Sequence, residues 1–249
     1  MLALHILLNQ WLNQLFGPAI SAILLKLGIH IAHPDRPING VLTLELVVTA
    51  LLLLFFVIVR LTLSVERPGP VQQFAEMIYE FADNQGQAIV GHGYEPHLPF
   101  VTTILMFLLI CNCFGLLPGI ETPTADPRVP LGVAILTFCY YNYFGFRAHG
   151  IWGYIKEFMG PVWWIAPLLF PIEIISHLAR MMSLTVRLYA NMFASDLLTL
   201  VFFSLIPIGV PIVFLALHLG VALIQSYVFM LLALIYLAGA IAHEEDAAH

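Results

Sequence analysis

The stretch 161–242 is apolar almost without interruption, and this constrains the chain more than anything else in it. A helix of about 20 apolar residues crosses roughly 30 Å of hydrocarbon, so the stretch is too long for one ordinary span. Its clear internal break is the cluster Pro207, Gly209 and Pro211. The stretch therefore divides into two long helices closed into a hairpin, each exceeding the usual span and expected to tilt. Across the whole chain, 61% of residues are hydrophobic and 10% charged, where ordinary soluble domains run at about 45–50% and about 25%. The fold class that follows is all-α and polytopic in the membrane.

The rest of the chain completes a single membrane domain over 1–249. Segment 1–40 is read as lying on the membrane surface. It opens MLALHILLNQWLNQLFGPAISA, with no Lys or Arg before Lys26 to supply the basic start of a signal peptide, and Asn9, Gln10, Asn13 and Gln14 interrupt its apolar run. The first span is 41–60, closed by Arg60. At 68–92, after the break at Pro68, Gly69 and Pro70, Phe74, Met77, Ile78, Phe81 and Ile89 recur at helical spacing among acids and amides, which predicts an amphipathic helix at a membrane face. Region 98–146 holds the second and third spans, Leu98 to Leu117 and Val129 to Phe146, followed by a polar connection with Arg147, His149 and Lys156. Five transmembrane helices put the termini on opposite sides. Arg60, Arg67, Arg147 and Lys156 against Lys26, Arg36 and Arg128 favour an external N-terminus and a cytoplasmic C-terminus. No basic patch suggests nucleic acid. Cys111, Cys113 and Cys139 fall inside apolar spans and read as small buried hydrophobes, so no metal site and no cofactor is expected. Glu45, in the first span, is assigned no role.

The fourth span carries charges that hydrocarbon should exclude. With Glu173 at zero and 100° per residue, His177, Arg180, Arg187 and Asn191 fall at about +40°, −20°, −40° and 0°. Ser176 and Ser183 lie at the edge of this stripe, which rises roughly 27 Å along the helix, close to the hydrocarbon thickness. An arginine at mid-membrane depth costs about 2.5–3.5 kcal/mol on insertion scales, so Arg187 is expected to be kept for function. Its guanidinium is a permanent positive charge. Asp196 points about 180° away from Arg187 and belongs to a different compartment. On the fifth span, His218, Gln225 and Tyr236 share one face within about 20°. Asp196 and His218 flank the hairpin turn symmetrically and so lie at similar depth, an arrangement suited to a proton relay or a hydrated vestibule.

Single polar residues in membrane helices more often bond a neighbouring helix than carry chemistry, and Arg180 is close enough to the surface to snorkel. Two arginines, a glutamate and a histidine on one stripe exceed what packing needs.

These residues resemble subunit a of the F-type ATP synthase, the membrane stator against which a ring of c-subunits turns. The resemblance is carried by PIEIISHLARMMSLTVRLYANMFASD (Pro171 to Asp196), within which R-L-x-A-N-M-x-A is the most specific string, and by HLGVALIQSYVFMLLALIYLAGA (His218 to Ala240). LSVERPGPVQQFAEMIYEF and NCFGLLPGIETPTAD are similar as well. The resemblance implies that Arg187 is the essential stator charge. It implies that Asn191, Asp196, His218 and Gln225 border an outer half-channel, and that Glu173, Ser176, His177, Ser183 and Tyr236 lie toward an inner one. It further implies proton translocation without a covalent step, c-ring and b-type peripheral stalk subunits as partners, and a bacterial plasma (inner) membrane. Two departures stand out: Met181 replaces a usual proline, and Ser195 with Asp196 replaces a usual glycine followed by Glu or His. The rival functions are an independent proton-coupled secondary transporter or channel, against which stands the lack of internal repeats, and a purely structural scaffold.

Overall fold

The computed structural model describes residues 40–64, 67–91, 93–117, 122–159, 166–205 and 209–241, with isolated positions before residue 22. The surface segment read into 1–40 and the tail after residue 241 lie outside them, apart from those isolated positions. The described residues form helices α1 (Gly40–Leu61), α2 (Pro70–Ile89), α3 (Leu98–Phe114), α4 (Arg128–Met159), α5 (Ala166–Leu205) and α6 (Val210–Ile241), with 3-10 turns at Glu95–His97 and Pro123–Ala125. Five of these helical stretches are long and apolar enough to cross a membrane. The protein is an all-α integral membrane protein.

Helix α1 buries Leu44, Val48 and Leu52, four residues apart, and exposes Leu46, Leu53, Leu54 and Val57, which suits a helix with one face on protein and the other on lipid. Val48 and Leu52 pack with Met106 and Cys111 of α3. Helix α2 begins at Pro70, where the missing amide hydrogen costs nothing. Gln72 clasps the incoming chain, accepting from the Ser64 amide at 2.9 Å and donating to the Ser64 carbonyl at 3.1 Å. Ile78, Ala82 and Ile89 face α3 and α6, while Phe74, Met77 and Phe81 are exposed. The helix is thus apolar on two flanks, one against protein and one open.

Helix α3 is the central element, with Leu98, Val101, Ile104, Leu105 and Leu108 all buried. One core joins four helices: Ile104 and Leu108 of α3, Ala134 of α4, Leu184, Leu188 and Met192 of α5, and Phe229 of α6. Since lipid competes equally for apolar surface, such a core is held by close packing and interhelical hydrogen bonds rather than by expulsion of water. Met181, where the resemblance leads one to expect proline, packs against this core. The helix runs through it unbroken, and the Met181 carbonyl accepts from Thr185 Oγ1 at 3.0 Å.

Two expectations need correction. The polar connection after Phe146 is helical to Met159, with a break at Gly150, whose φ of 68° is open to glycine at no steric cost. Of the three cysteines, Cys111 is buried and Cys113 partly so, but Cys139 is exposed.

Helix α5 has 40 residues, about 60 Å at 1.5 Å per residue, twice the thickness of the hydrocarbon. It cannot stand upright within a bilayer. Pro171 is the sixth residue of the helix, where it removes one backbone hydrogen bond. Helix α6 returns antiparallel to it, so the start of α5 meets the end of α6 and the end of α5 meets the start of α6.

Candidate functional site

The hairpin gathers its polar side chains into two groups, one at each end, with Arg187 between them. At the first end, Glu173 Oε1 lies 3.4 Å from His177 Nε2 and 3.6 Å from Arg180 Nη2. The spacing of four residues stacks Glu173 and His177 on one helix face. Tyr141, from α4, places its hydroxyl 3.1 Å from His177 Nδ1. Because an ionised carboxylate only accepts, the proton of a neutral His177 ring faces Glu173 and Nδ1 accepts from Tyr141. The Arg180 guanidinium sits 5.8 Å from the ring centroid of Tyr236 on α6, within cation–π range. Tyr236 and Tyr141 are 6.0 Å apart, centroid to centroid. Three helices thus converge on one acid, two bases and two phenols.

At the other end, Asp196 Oδ1 lies 3.4 Å from His218 Nδ1. The Asp196 carboxylate also accepts from Thr122, from the hydroxyl at 2.8 Å and from the amide at 3.3 Å. Ser195 Oγ is 2.8 Å from His218 Nδ1, and His218 Nε2 is 3.1 Å from the Asn112 carbonyl. Asn112 extends the network inward. Its amide donates to Ser226 Oγ at 3.0 Å, and its side-chain oxygen accepts from Thr124 Oγ1 at 2.5 Å. Asn112, Thr124 and Ser226 are fully buried and His218 is 1% exposed, so each polar atom must be bonded or carry a desolvation penalty. The 3-10 turn at Pro123–Ala125 is what delivers Thr122 and Thr124 to this point.

One turn toward the middle, Asn191 Nδ2 donates to Gln225 Oε1 at 3.0 Å, joining the two arms of the hairpin. Arg187 stands between the groups, about 10 Å along the axis from Arg180 and about 13 Å from Asp196. It is exposed, and among the described residues it has no hydrogen bond or ion pair. Leu184 and Leu188, about 60° and 100° round the helix from Arg187, are buried in the core. A permanent cation therefore projects from the exposed edge of α5, beside its buried face.

Of the residues expected from sequence, Glu173, His177 and Tyr236 gather at the first end, with Arg180, and Asp196 and His218 at the second. Asn191 and Gln225 pair directly. Ser176 and Ser183 join neither group and have no hydrogen bond among the described residues; Ser183 is exposed. Sequence reasoning did not assign Tyr141, Asn112, Thr122, Thr124 or Ser226, and it noted Ser195 only as a departure. Asn112 offered a signal, as an amide inside an apolar span, and Thr122 and Thr124 lie in the stretch ETPTAD. Tyr141 offered none, being one aromatic among many. Glu45 of α1 lies within electrostatic reach of Asp126 and Arg128.

The model of the ATP synthase A chain family matches residues 42–238. The ATP synthase subunit a of Koribacter versatilis is 50% identical over 238 residues, covering 96% of this chain and 97% of that protein. That of Solibacter usitatus is 44% identical over 228 residues, covering 92% and 96%. That of Trichlorobacter lovleyi is 37% identical over 213 residues, covering 85% and 91%. The match takes in both polar groups of the hairpin and all five spans, and by it this chain belongs to the ATP synthase A chain family.

Proposed function

We propose that the chain is the membrane stator of an F-type ATP synthase, passing protons to and from carboxylates on a c-ring through two offset half-channels. Membership of the family makes it a component of that complex; in this reading it is non-catalytic by itself and coupled to ATP synthesis through rotation. The observation that supports this reading best is the separation of two polar groups by a lone exposed arginine. A single continuous pore would need no such interruption.

In this reading Asp196, His218, Asn191 and Gln225 serve the outer half-channel, with the N-terminus outside. Glu173, His177, Tyr236 and the flanking Ser176 and Ser183 serve the inner one, on the cytoplasmic side of a bacterial plasma membrane. A proton delivered at one end neutralises a ring carboxylate, which can then face lipid without the cost of a bare charge. After nearly a full turn the carboxylate meets Arg187, whose fixed charge favours the ionised form and drives release into the other half-channel. The same charge repels protons that would otherwise cross directly between the groups. Each elementary charge moved is worth about 2.3 kcal/mol per 100 mV, so several must cross for one ATP. The exposed flank of α5 is the side offered to the ring, and b-type stalk subunits complete the stator.

The test is ATP-driven proton pumping in inverted vesicles. Asp196→Asn and His218→Ala are each expected to slow pumping with the complex still assembled, since water can partly replace one polar group in a hydrated path. Wild-type rates in both would overturn the outer route. An independent transporter is distinguished by purification, which would return this chain alone or with copies of itself instead of with a ring and a stalk.

A further inference from the structure

Ser195 stands outside every role assigned so far, yet its hydroxyl lies nearer His218 than Asp196 does, at 2.8 Å against 3.4 Å from Nδ1. The other ring nitrogen settles what each partner must do. Nε2 is 3.1 Å from the Asn112 carbonyl, which can only accept, so Nε2 carries a hydrogen. A neutral imidazole then has a bare Nδ1, and the Ser195 hydroxyl donates to it. Among the described residues the Nε2 edge is closely walled. A Cβ placed at Gly115 would meet Nε2 at 2.8 Å and Cε1 at 2.9 Å, and would collide with the side chain of Thr122. The ring lies against the end of α3, with 1% of the residue exposed.

We infer that Ser195 is a positioning residue for proton transfer, and that with Asn112 it makes His218 a one-sided proton site which gains and loses its proton at Nδ1 alone. This rests on the outer route proposed above. When a proton arrives at Nδ1, the serine hydroxyl turns from donor to acceptor and Asp196 becomes the counter-charge. When the proton leaves, the hydroxyl turns back. No proton passes through the ring from Nδ1 to Nε2, because Nε2 faces a buried carbonyl instead of a path. Onward movement runs along the α5 side, past Asp196 and Ser195 toward Asn191 and Gln225. The departure from glycine at 195 thereby acquires a purpose: the aspartate at 196 is one methylene shorter than glutamate and approaches Nδ1 only to 3.4 Å, and the hydroxyl supplies the close hydrogen bond there at 2.8 Å.

The test combines imidazole 15N spectroscopy with pumping, using the assembled complex labelled at histidine, with His218→Ala to assign the signal. The neutral His218 ring is expected to be in the Nε2–H form. Ser195→Ala is expected to lower ATP-driven pumping roughly three- to tenfold at matched complex content, the scale of one lost orienting hydrogen bond. Ser195→Thr, which keeps the hydroxyl, should stay near wild type. A neutral ring protonated at Nδ1 would overturn the inference. So would undiminished pumping in Ser195→Ala while His218→Ala is impaired, or equal losses in the Ala and Thr variants, which would mark the effect as packing. Wild-type pumping by His218→Ala and by Asp196→Asn alike would instead sink the outer route itself.

Discussion

Arg187→Lys separates charge from the rest of what an arginine supplies. In the structure the guanidinium makes no bond to its own chain among the described residues and is exposed, so neither lysine nor alanine removes a protein contact. For Arg187→Lys, which keeps the charge, the expected stability change is within about 0.5 kcal/mol, the range of substitutions that touch nothing. Removing the charge altogether in Arg187→Ala relieves an insertion cost of about 2.5–3.5 kcal/mol, so assembly should if anything improve. Function should move the other way. A planar, permanently protonated fork is replaced in Arg187→Lys by a flexible amine, which can give up its proton when desolvated and so can itself relay one. We expect coupled pumping to fall at least about a hundredfold in both variants, equivalent to roughly 2.7 kcal/mol of barrier. The assay is ATP-driven acidification of inverted vesicles at matched complex content, with thermal stability of the purified complex as control. Near-normal pumping by the lysine variant would refute the argument, since it would show that any cation suffices.

Three further outcomes follow from the packing. Gly115→Ala forces a methyl against Thr122 and the His218 ring, and should cost about 1–3 kcal/mol by overpacking, read as a lower melting temperature, with slowed pumping. Asn112→Leu should destabilise the complex by about 1–3 kcal/mol, because the buried Thr124 hydroxyl loses its acceptor; an unchanged melting temperature would show that water or another group takes over. Asn191→Ala and Gln225→Ala, whose side chains bond each other at 3.0 Å, should be non-additive in a double-mutant cycle, with a coupling of about 0.6 kcal/mol and at most about 1.7. Strict additivity in pumping and in stability would contradict a working bond between the arms of the hairpin.

The class of fold and the hairpin were legible from residue order because both rest on local properties. Apolar runs long enough to cross hydrocarbon define spans one at a time, and the break at Pro207, Gly209 and Pro211 needs no knowledge of any other segment. The 3.6-residue period likewise sets Glu173, His177 and Arg180 on one face before any neighbour is known. Equal distance from the turn was enough to match Asp196 with His218 in depth. What surrounds those residues was not legible, because hydropathy counts spans without saying which helix packs on which. Thr122 reaches Asp196 across 74 positions of sequence, and Asn112 reaches Ser226 across 114. Tyr141 meets His177 only because α4 crosses α5 there. The isolation of Arg187 among the described residues is the same lesson in reverse: its charge is a property of one residue, whereas its lack of a partner among them depends on where the other helices lie. Ser195 could be noted as a departure from sequence alone, but its bearing on His218 comes from the packing of α5, α6 and the end of α3, which sets one ring nitrogen against a carbonyl and leaves the other to a hydroxyl.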